Sequence, residues 1–193
     1  MIKTKEDLAF YKKQDFIANS FNARGLGGVK LRLFNATYKF LTLLREVEYY
    51  KNNPSVVSNI VFLYKWYRFR KISIKLGYNI PPNCFGPGLS LPHYGTIVVN
   101  SNAKIGANCR LHCCTNIGAS AGKAEAPQIG DNCYIGPGAI IFGDIRIASN
   151  ATIAANATVN KSFKEEYAVL AGTPARVVKT NMQNWVQFNK IDG

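Results

Sequence analysis

The chain has 193 residues, 47% of them hydrophobic, and carries 24 lysines and arginines against 11 acidic residues, a formal charge of +13. That length suits one compact domain, or a small helical region joined to a repeat domain, with enough apolar residues for a core. No apolar run approaches the roughly 20 residues of a membrane span, the opening MIKTKEDLAF has no apolar signal region, and five cysteines, an odd number, argue against a disulfide framework; a reducing cytoplasm is the expected setting.

Residues 1–79 hold 15 of the basic and 5 of the acidic residues, net +10, together with 15 of the 23 aromatic residues. Two readings stay open for this part. It is a solvated basic helical surface over an aromatic core, or it meets an anionic partner such as lipid headgroups or a charged substrate. Nucleic acid is not expected, because no recognition module accompanies the charge.

Residues 1–28 read as a short helix ended by the Gly-rich turn Arg24-Gly25-Leu26-Gly27-Gly28. Leu33, Phe34, Phe40, Leu41, Leu44 and Val47 recur near helical spacing and predict a helix over 30–50. Asn53-Pro54 then offers an N-cap and a first-turn proline for a second helix over 54–75. Gly77 stops that helix, and Pro81-Pro82 bars its continuation.

Beyond residue 98 the period changes to six. Val99, Ile105, Leu111 and Ile117 mark one series, and Ile129, Ile135, Ile141, Ile147, Ile153 and Val159 resume it after a gap of two periods. Four residues after most markers stands a small side chain: Ala103, Cys109, Thr115, Cys133, Ala139, Ala151 and Ala157, with Ile145 the exception. A helix needs a 3.6-residue repeat and an ordinary strand a repeat of two, so a strict six predicts a solenoid of short strands and turns in which each marker stacks on its equivalent in the next coil. Residues 119–128 contain no marker and are expected to leave the coil as a loop, where function tends to sit on a repeat scaffold.

This repeat, the segment Leu91-Pro92-His93-Tyr94-Gly95-Thr96-Ile97-Val98-Val99, the loop, and the closing Ala171-Gly172-Thr173-Pro174-Ala175-Arg176-Val177-Val178 resemble the hexapeptide acyltransferases, in their serine acetyltransferase-like branch. The resemblance covers about residues 78–179. It implies a mainly β fold, a left-handed parallel β-helix over 79–180 preceded by an α-helical region over 1–78 and followed by a tail over 181–193. It implies a homotrimer, with pairing of trimers left open, and acetyl-CoA as the acetyl donor. No metal is expected.

In the family the histidine matching His93 takes the proton of the acceptor hydroxyl, a step suited to imidazole near neutral pH. Asn79 matches the residue that orients that ring. His112 follows a marker directly and is expected to face outward, either lining the same groove or standing as an exposed structural residue. Motif matching places Gly118, Pro137, Gly138, Ala155 and Thr173 along the cofactor groove and Arg176 with Lys179 at its phosphate end, with Lys123 reaching a phosphate or the acceptor. Cys113 and Cys114 lack an activating partner other than His112, and Cys84, Cys109 and Cys133 read as small core residues.

Three positions depart from the serine-using pattern. Pro92 stands where an Asp precedes the catalytic histidine, Glu125-Ala126 where an Arg-His pair ends the loop, and Asn79 where an Asp balances the imidazolium. These departures count against serine, and the short basic N-terminal region resembles that of sugar and surface-polysaccharide acetyltransferases; the resemblance implies a sugar hydroxyl of a surface polysaccharide or its precursor as the acceptor, with serine as the alternative. The basic residues Lys65, Arg68, Arg70 and Lys71 suit such an acceptor at the inner membrane face. A non-catalytic trimeric scaffold is the remaining alternative.

Overall fold

The computed structural model describes residues 1–22 and 25–189. Helix α1 (Lys5–Ala18) opens on a capping box in which the Thr4 hydroxyl accepts from the Asp7 amide at 3.0 Å and the Asp7 carboxylate accepts from the Thr4 amide at 3.0 Å. Of the Gly-rich turn, Arg24 lies outside the described residues; Gly27 and Gly28 fall inside helix α2 (Leu26–Phe34).

The helix predicted over 30–50 is two helices. Asn35 is extended between α2 and α3 (Ala36–Asn52), and its side chain accepts from the Tyr38 amide at 2.8 Å, so it starts a new helix instead of continuing the old one. The second predicted helix begins later than expected, as α4 (Val56–Leu76). Asn53 is occupied in closing α3, its side-chain Nδ2 donating to the Tyr49 carbonyl at 2.8 Å, and the Ser55 hydroxyl caps α4 by accepting from the Ser58 backbone amide at 3.1 Å. Gly77 ends α4 with φ of +77°, where a Cβ would also press on the Gly95 backbone at 3.1 Å.

From residue 78 the chain winds as a left-handed parallel β-helix with three faces. The first face stacks β1 (Tyr78–Asn79), β2 (Ile97–Val99), β5 (Thr115–Gly118), β8 (Ile140–Phe142) and β11 (Thr158–Val159). The second holds β3 (Lys104–Ile105), β6 (Gln128–Ile129) and β9 (Arg146–Ile147). The third holds β4 (Arg110–Leu111), β7 (Tyr134–Ile135), β10 (Thr152–Ile153), β12 (Val169–Gly172) and, antiparallel at its edge, β13 (Ala175–Lys179).

Every one of the ten aliphatic markers is buried, and so are the small residues four positions on, including the larger Ile145. Each hexapeptide thus sends two side chains inward, one large and one small, which fills a narrow triangular bore. Register pairs Ile117 with Ile141 but Ile141 with Val159, so the coil holding 119–128 is one hexapeptide longer than the next and rejoins in step.

The corner between the second and third faces is a ladder of left-handed residues. Asn108, Asn132 and Asn150 have φ of +52°, +57° and +64°, a conformation that asparagine tolerates better than most residues. Their side chains bond in series, Asn108 to Asn132 at 3.0 Å and Asn132 to Asn150 at 3.1 Å. Asn184 joins the last of them at 2.6 Å and caps α5 (Trp185–Phe188), pinning the tail to this corner.

A buried ionic cluster fastens the helices to the first coil. Arg45, fully buried, binds Asp15 through Nε at 2.7 Å and Glu48 through Nη1 at 3.0 Å, and donates to the carbonyls of Phe85 at 3.0 Å and Gly86 at 2.7 Å. Asp15 accepts in turn from the amides of Gly88 and Leu89, both at 2.9 Å. Asn19 bridges the Leu89 carbonyl and the Leu91 amide, so α1 closes the open end of the solenoid much as another coil would.

Candidate active site

The corner joining the third face to the first carries most of the candidate residues. In the first coil it is the segment from Leu91 to Thr96, which contains His93; in later coils it contains His112 to Cys114, Gly136 to Ala139 and Ala154 to Ala157, and it ends at Thr173. Backbone and side-chain bonds tie these levels together. Gly138 N donates to Cys113 O at 3.1 Å, Asn156 N to Pro137 O at 2.9 Å, and the Thr173 hydroxyl to Asn156 O at 3.4 Å. Pro137, Ala155 and Thr173 are exposed along the edge. Gly138 has φ of +73°, and a Cβ there would run into the Asn156 side chain.

His93 is exposed, and its backbone carbonyl accepts from the Tyr78 hydroxyl at 2.8 Å. Burial pushes that phenol up to about 12, so it stays a donor throughout the working pH range. The ring of His93 lies 5.6 Å from that of His112, centre to centre. His112 in turn packs on Tyr134 at 4.9 Å, its amide donating to Ile135 O at 3.1 Å and its carbonyl accepting from the Thr115 hydroxyl at 2.7 Å. Its Nε2 is buried with no hydrogen-bond partner among the described residues. Burial first, then the positive charge of Arg110 and the neighbouring His93, lower His112 to about 4, which keeps it neutral at physiological pH.

Asn79 is exposed on β1, with Val98 as its strand partner, and no hydrogen bond joins its side chain to His93 among the described residues. The residue fixing the His93 segment is instead its neighbour Tyr78. Sequence reasoning passed over Tyr78 because its ring points inward, as a core residue does.

Gly118 and Lys123 lie elsewhere. Gly118 ends β5 at the far edge of the first face, paired with Phe142, and the exposed Lys123 belongs to the loop leaving that edge, its amide donating to Ser120 O at 2.9 Å. Within one chain the loop and the His93 corner therefore occupy different corners of the triangle. Arg176 and Lys179 are exposed on β13. Arg176 shares an open hollow with Lys161 and Lys164, two cations whose proximity arises only when the last coil folds back on the hairpin.

Beside His112 a cleft of about 340 Å³ runs between the third face and α5, lined by Arg110, His112, Tyr134, Thr152, Gln183 and Trp185 among others. The Arg110 guanidinium lies 5.6 Å from the Trp185 ring centre, and Trp185 Nε1 donates to Asn108 O at 2.8 Å. Arg110, Tyr134 and Thr152 share one register line on the outer surface of the third face, each just before a marker. That position relative to the marker is a sequence signal that could have singled them out. Cys84, Cys109 and Cys133 are buried, and burial raises all three thiols, to about 11 for Cys84 and about 12 for Cys133, which suits core residues.

Residues 126–161 match the family described as "Bacterial transferase hexapeptide (six repeats)". Among curated proteins the chain is similar to a serine acetyltransferase of Staphylococcus epidermidis, 32% identical over 133 residues, or 67% of this chain and 59% of the relative. It is also similar to one of Staphylococcus aureus, 34% identical over 107 residues, or 53% and 49%. The chain thus spans about half to three-fifths of the length of these relatives. Among solved structures it resembles a serine acetyltransferase in complex with cysteine, with a TM-score of 0.75 and 24% identity over 96% of this chain and 71% of the other. The serine acetyltransferase of Neisseria gonorrhoeae follows with a TM-score of 0.72 and 23% identity over 94% and 70%.

Proposed function

We propose, for a chain that belongs to the hexapeptide-repeat family, on its serine acetyltransferase-like branch, that it transfers the acetyl group of acetyl-CoA to an acceptor hydroxyl with His93 as the general base. The single observation that carries this reading is the pairing of the exposed His93 with the half-buried His112, ring centres 5.6 Å apart, at the head of a corner of small residues. Beside a neutral His112, a proton taken up by His93 meets no second imidazolium. The acceptor oxygen bonds to the thioester carbonyl carbon as its proton passes to His93. The carbon–sulfur bond then breaks, and His93 returns the proton to the departing thiolate of coenzyme A.

The residues of the corner fit the donor. Small or short side chains at Pro137, Gly138, Ala155 and Thr173 leave room for an extended pantetheine arm against the backbone, and Arg176, with Lys179 and the neighbouring Lys161 and Lys164, supplies cations for phosphates. One of the solved relatives is a serine acetyltransferase in complex with CoA. Asn79 keeps the role of accepting a hydrogen bond from the His93 ring, made when the acceptor is in place.

A homotrimer accounts for the separation of loop and base. With Gly118 and Lys123 on one corner and His93 on another, side-by-side packing of parallel β-helices brings the loop of one copy against the His93 corner of the next, completing the groove.

The names of the relatives support serine as the acceptor over the sugar hydroxyl expected first from the sequence. The sugar reading is retained for one observation. The cleft beside His112 offers aromatic faces, Arg110, Gln183 and Thr152 but no Asp or Glu, so an ammonium group finds no counter-charge there, whereas a hydroxylated ring finds stacking and polar partners.

Free-thiol release from acetyl-CoA, followed for the wild type and His93→Ala with serine, nucleotide sugars and polysaccharide repeat units, tests both steps. Acceptor-dependent release that vanishes in the variant supports the mechanism and names the acceptor. Equal, acceptor-independent signals from both proteins overturn it.

A further inference from the structure

Helix α4 is apolar on two sides. Its inner side packs Phe62, Trp66, Phe69 and Leu76 against the core. Its outer side carries Val56, Ile60, Leu63, Tyr67 and Ile74 at alternating spacings of four and three, with only Arg70 interrupting the line, and these five residues are 65% to 80% exposed. Val57 and Tyr64 widen the stripe. A contiguous exposed apolar stripe of this kind marks an interaction surface, so this face calls for an occupant.

The charges identify it. No Asp or Glu occurs in α4, while Arg68, Arg70, Lys71 and Lys75 are exposed toward its C-terminal half and make no ion pair among the described residues. Lys65 alone is paired, with Glu46 at 2.7 Å. Helices that pair along such a seam place complementary charges at its flanks. A second α4 brings only more cations, on a chain already at +13. An anionic lipid surface supplies the missing negative charge, and no helix among the described residues is long and apolar enough to cross a membrane.

We infer that α4 docks the protein on anionic bilayers, lying in the plane of the interface. Val56, Ile60 and Leu63 enter the acyl boundary, the rings of Tyr64 and Tyr67 sit at headgroup level, and the four cations reach lipid phosphates. Helix α2 has the same composition, with exposed Leu33 and Phe34 beside Lys30 and Arg32 and no acidic residue. This inference is independent of the acetyl-transfer reading.

The test is co-sedimentation of the full chain with vesicles of phosphatidylcholine alone or with one-third phosphatidylglycerol, with light scattering on the free protein. The chain is expected to pellet with the anionic vesicles only, and to be released at about 0.5 M salt, where the field is screened. Leu63→Glu combined with Tyr67→Glu, and separately Arg70→Glu combined with Lys71→Glu, should each weaken partition by about tenfold or more, with circular dichroism confirming the fold. His93→Ala should pellet as the wild type does. Equal pelleting with both vesicle types, or none with either, overturns the inference. So does a wild-type assembly that the Leu63 and Tyr67 changes break apart while neither protein binds vesicles, since the stripe then belongs to a second copy.

Discussion

The rings of His93 and His112 stand 5.6 Å apart, centre to centre, one exposed at the corner and the other turned into the third face with its Nε2 sealed from solvent. Two imidazoles this close do not both carry charge cheaply, and burial decides which stays neutral. On the proposed mechanism proton transfer falls to His93, while His112 holds its place beside Tyr134.

Replacing His93 by alanine or glutamine is expected to lower the acetyl-transfer rate by about 10² to 10⁴, the usual contribution of a positioned general base. The side chain is exposed and, among the described residues, His93 is hydrogen-bonded only through its backbone carbonyl, so melting temperature should barely move. A rate loss accompanied by unfolding would assign His93 a structural role instead.

His112 gives a pH signature. Its pKa is about 4 in the folded chain against an ordinary 6.5, so between these values the unfolded chain binds a proton that the folded chain refuses. Stability should therefore fall as pH drops from 6.5 toward 4, with no contribution from this group above that window. Denaturant melts of wild type and His112→Asn across the window should show a flatter dependence in the variant. Parallel curves would mean that His112 is more open to water than its unpartnered Nε2 implies.

The six-residue period was legible because an interior that repeats once per face imposes the same choice of side chain at every turn. What lay hidden were meetings between coils of unequal length. His112 and Tyr134 come together only because the loop adds one hexapeptide between their coils, and Lys161 meets Arg176 only across the terminal hairpin. Likewise the apolar spacing from Leu33 to Val47 runs straight through Asn35, so nothing in the period announced the break; the signal was the capping side chain, which competes with helix continuation by satisfying the next amides. The resemblance supplied Gly118 and Lys123 along with the corner residues, but a single chain places them on another edge.

A bulky side chain at the corner should block the donor without harming the fold. Ala155 is exposed, so Ala155→Trp is expected to leave stability within about 0.5 kcal/mol while raising KM for acetyl-CoA. Arg176→Ala should raise the same KM by about tenfold, the loss of one charge-assisted contact. Steady-state kinetics with acetyl-CoA varied would detect either change, and an unchanged KM in both variants would move the donor off this corner.

The Arg45 cluster predicts a large stability effect remote from the chemistry. Arg45 bridges α3 to α1 through Asp15 and to the first coil through the Phe85 and Gly86 carbonyls, and its removal leaves Asp15 and Glu48 buried beside each other without a counter-charge. Arg45→Met should cost about 3–5 kcal/mol, as breaking one side of a buried ion pair does. Arg45→Lys should recover little, because a single ammonium group cannot reproduce the fork that reaches two carboxylates and two carbonyls at once. The partly buried Lys12 and Glu46 pair, at 2.8 Å, is the internal control, since Lys65 still reaches Glu46 at 2.7 Å and Lys12→Ala should cost less than about 1 kcal/mol. If urea melts gave the two sites similar losses, the cluster would not be what fastens the helices, and the Asn19 contacts with Leu89 and Leu91 would have to carry that junction.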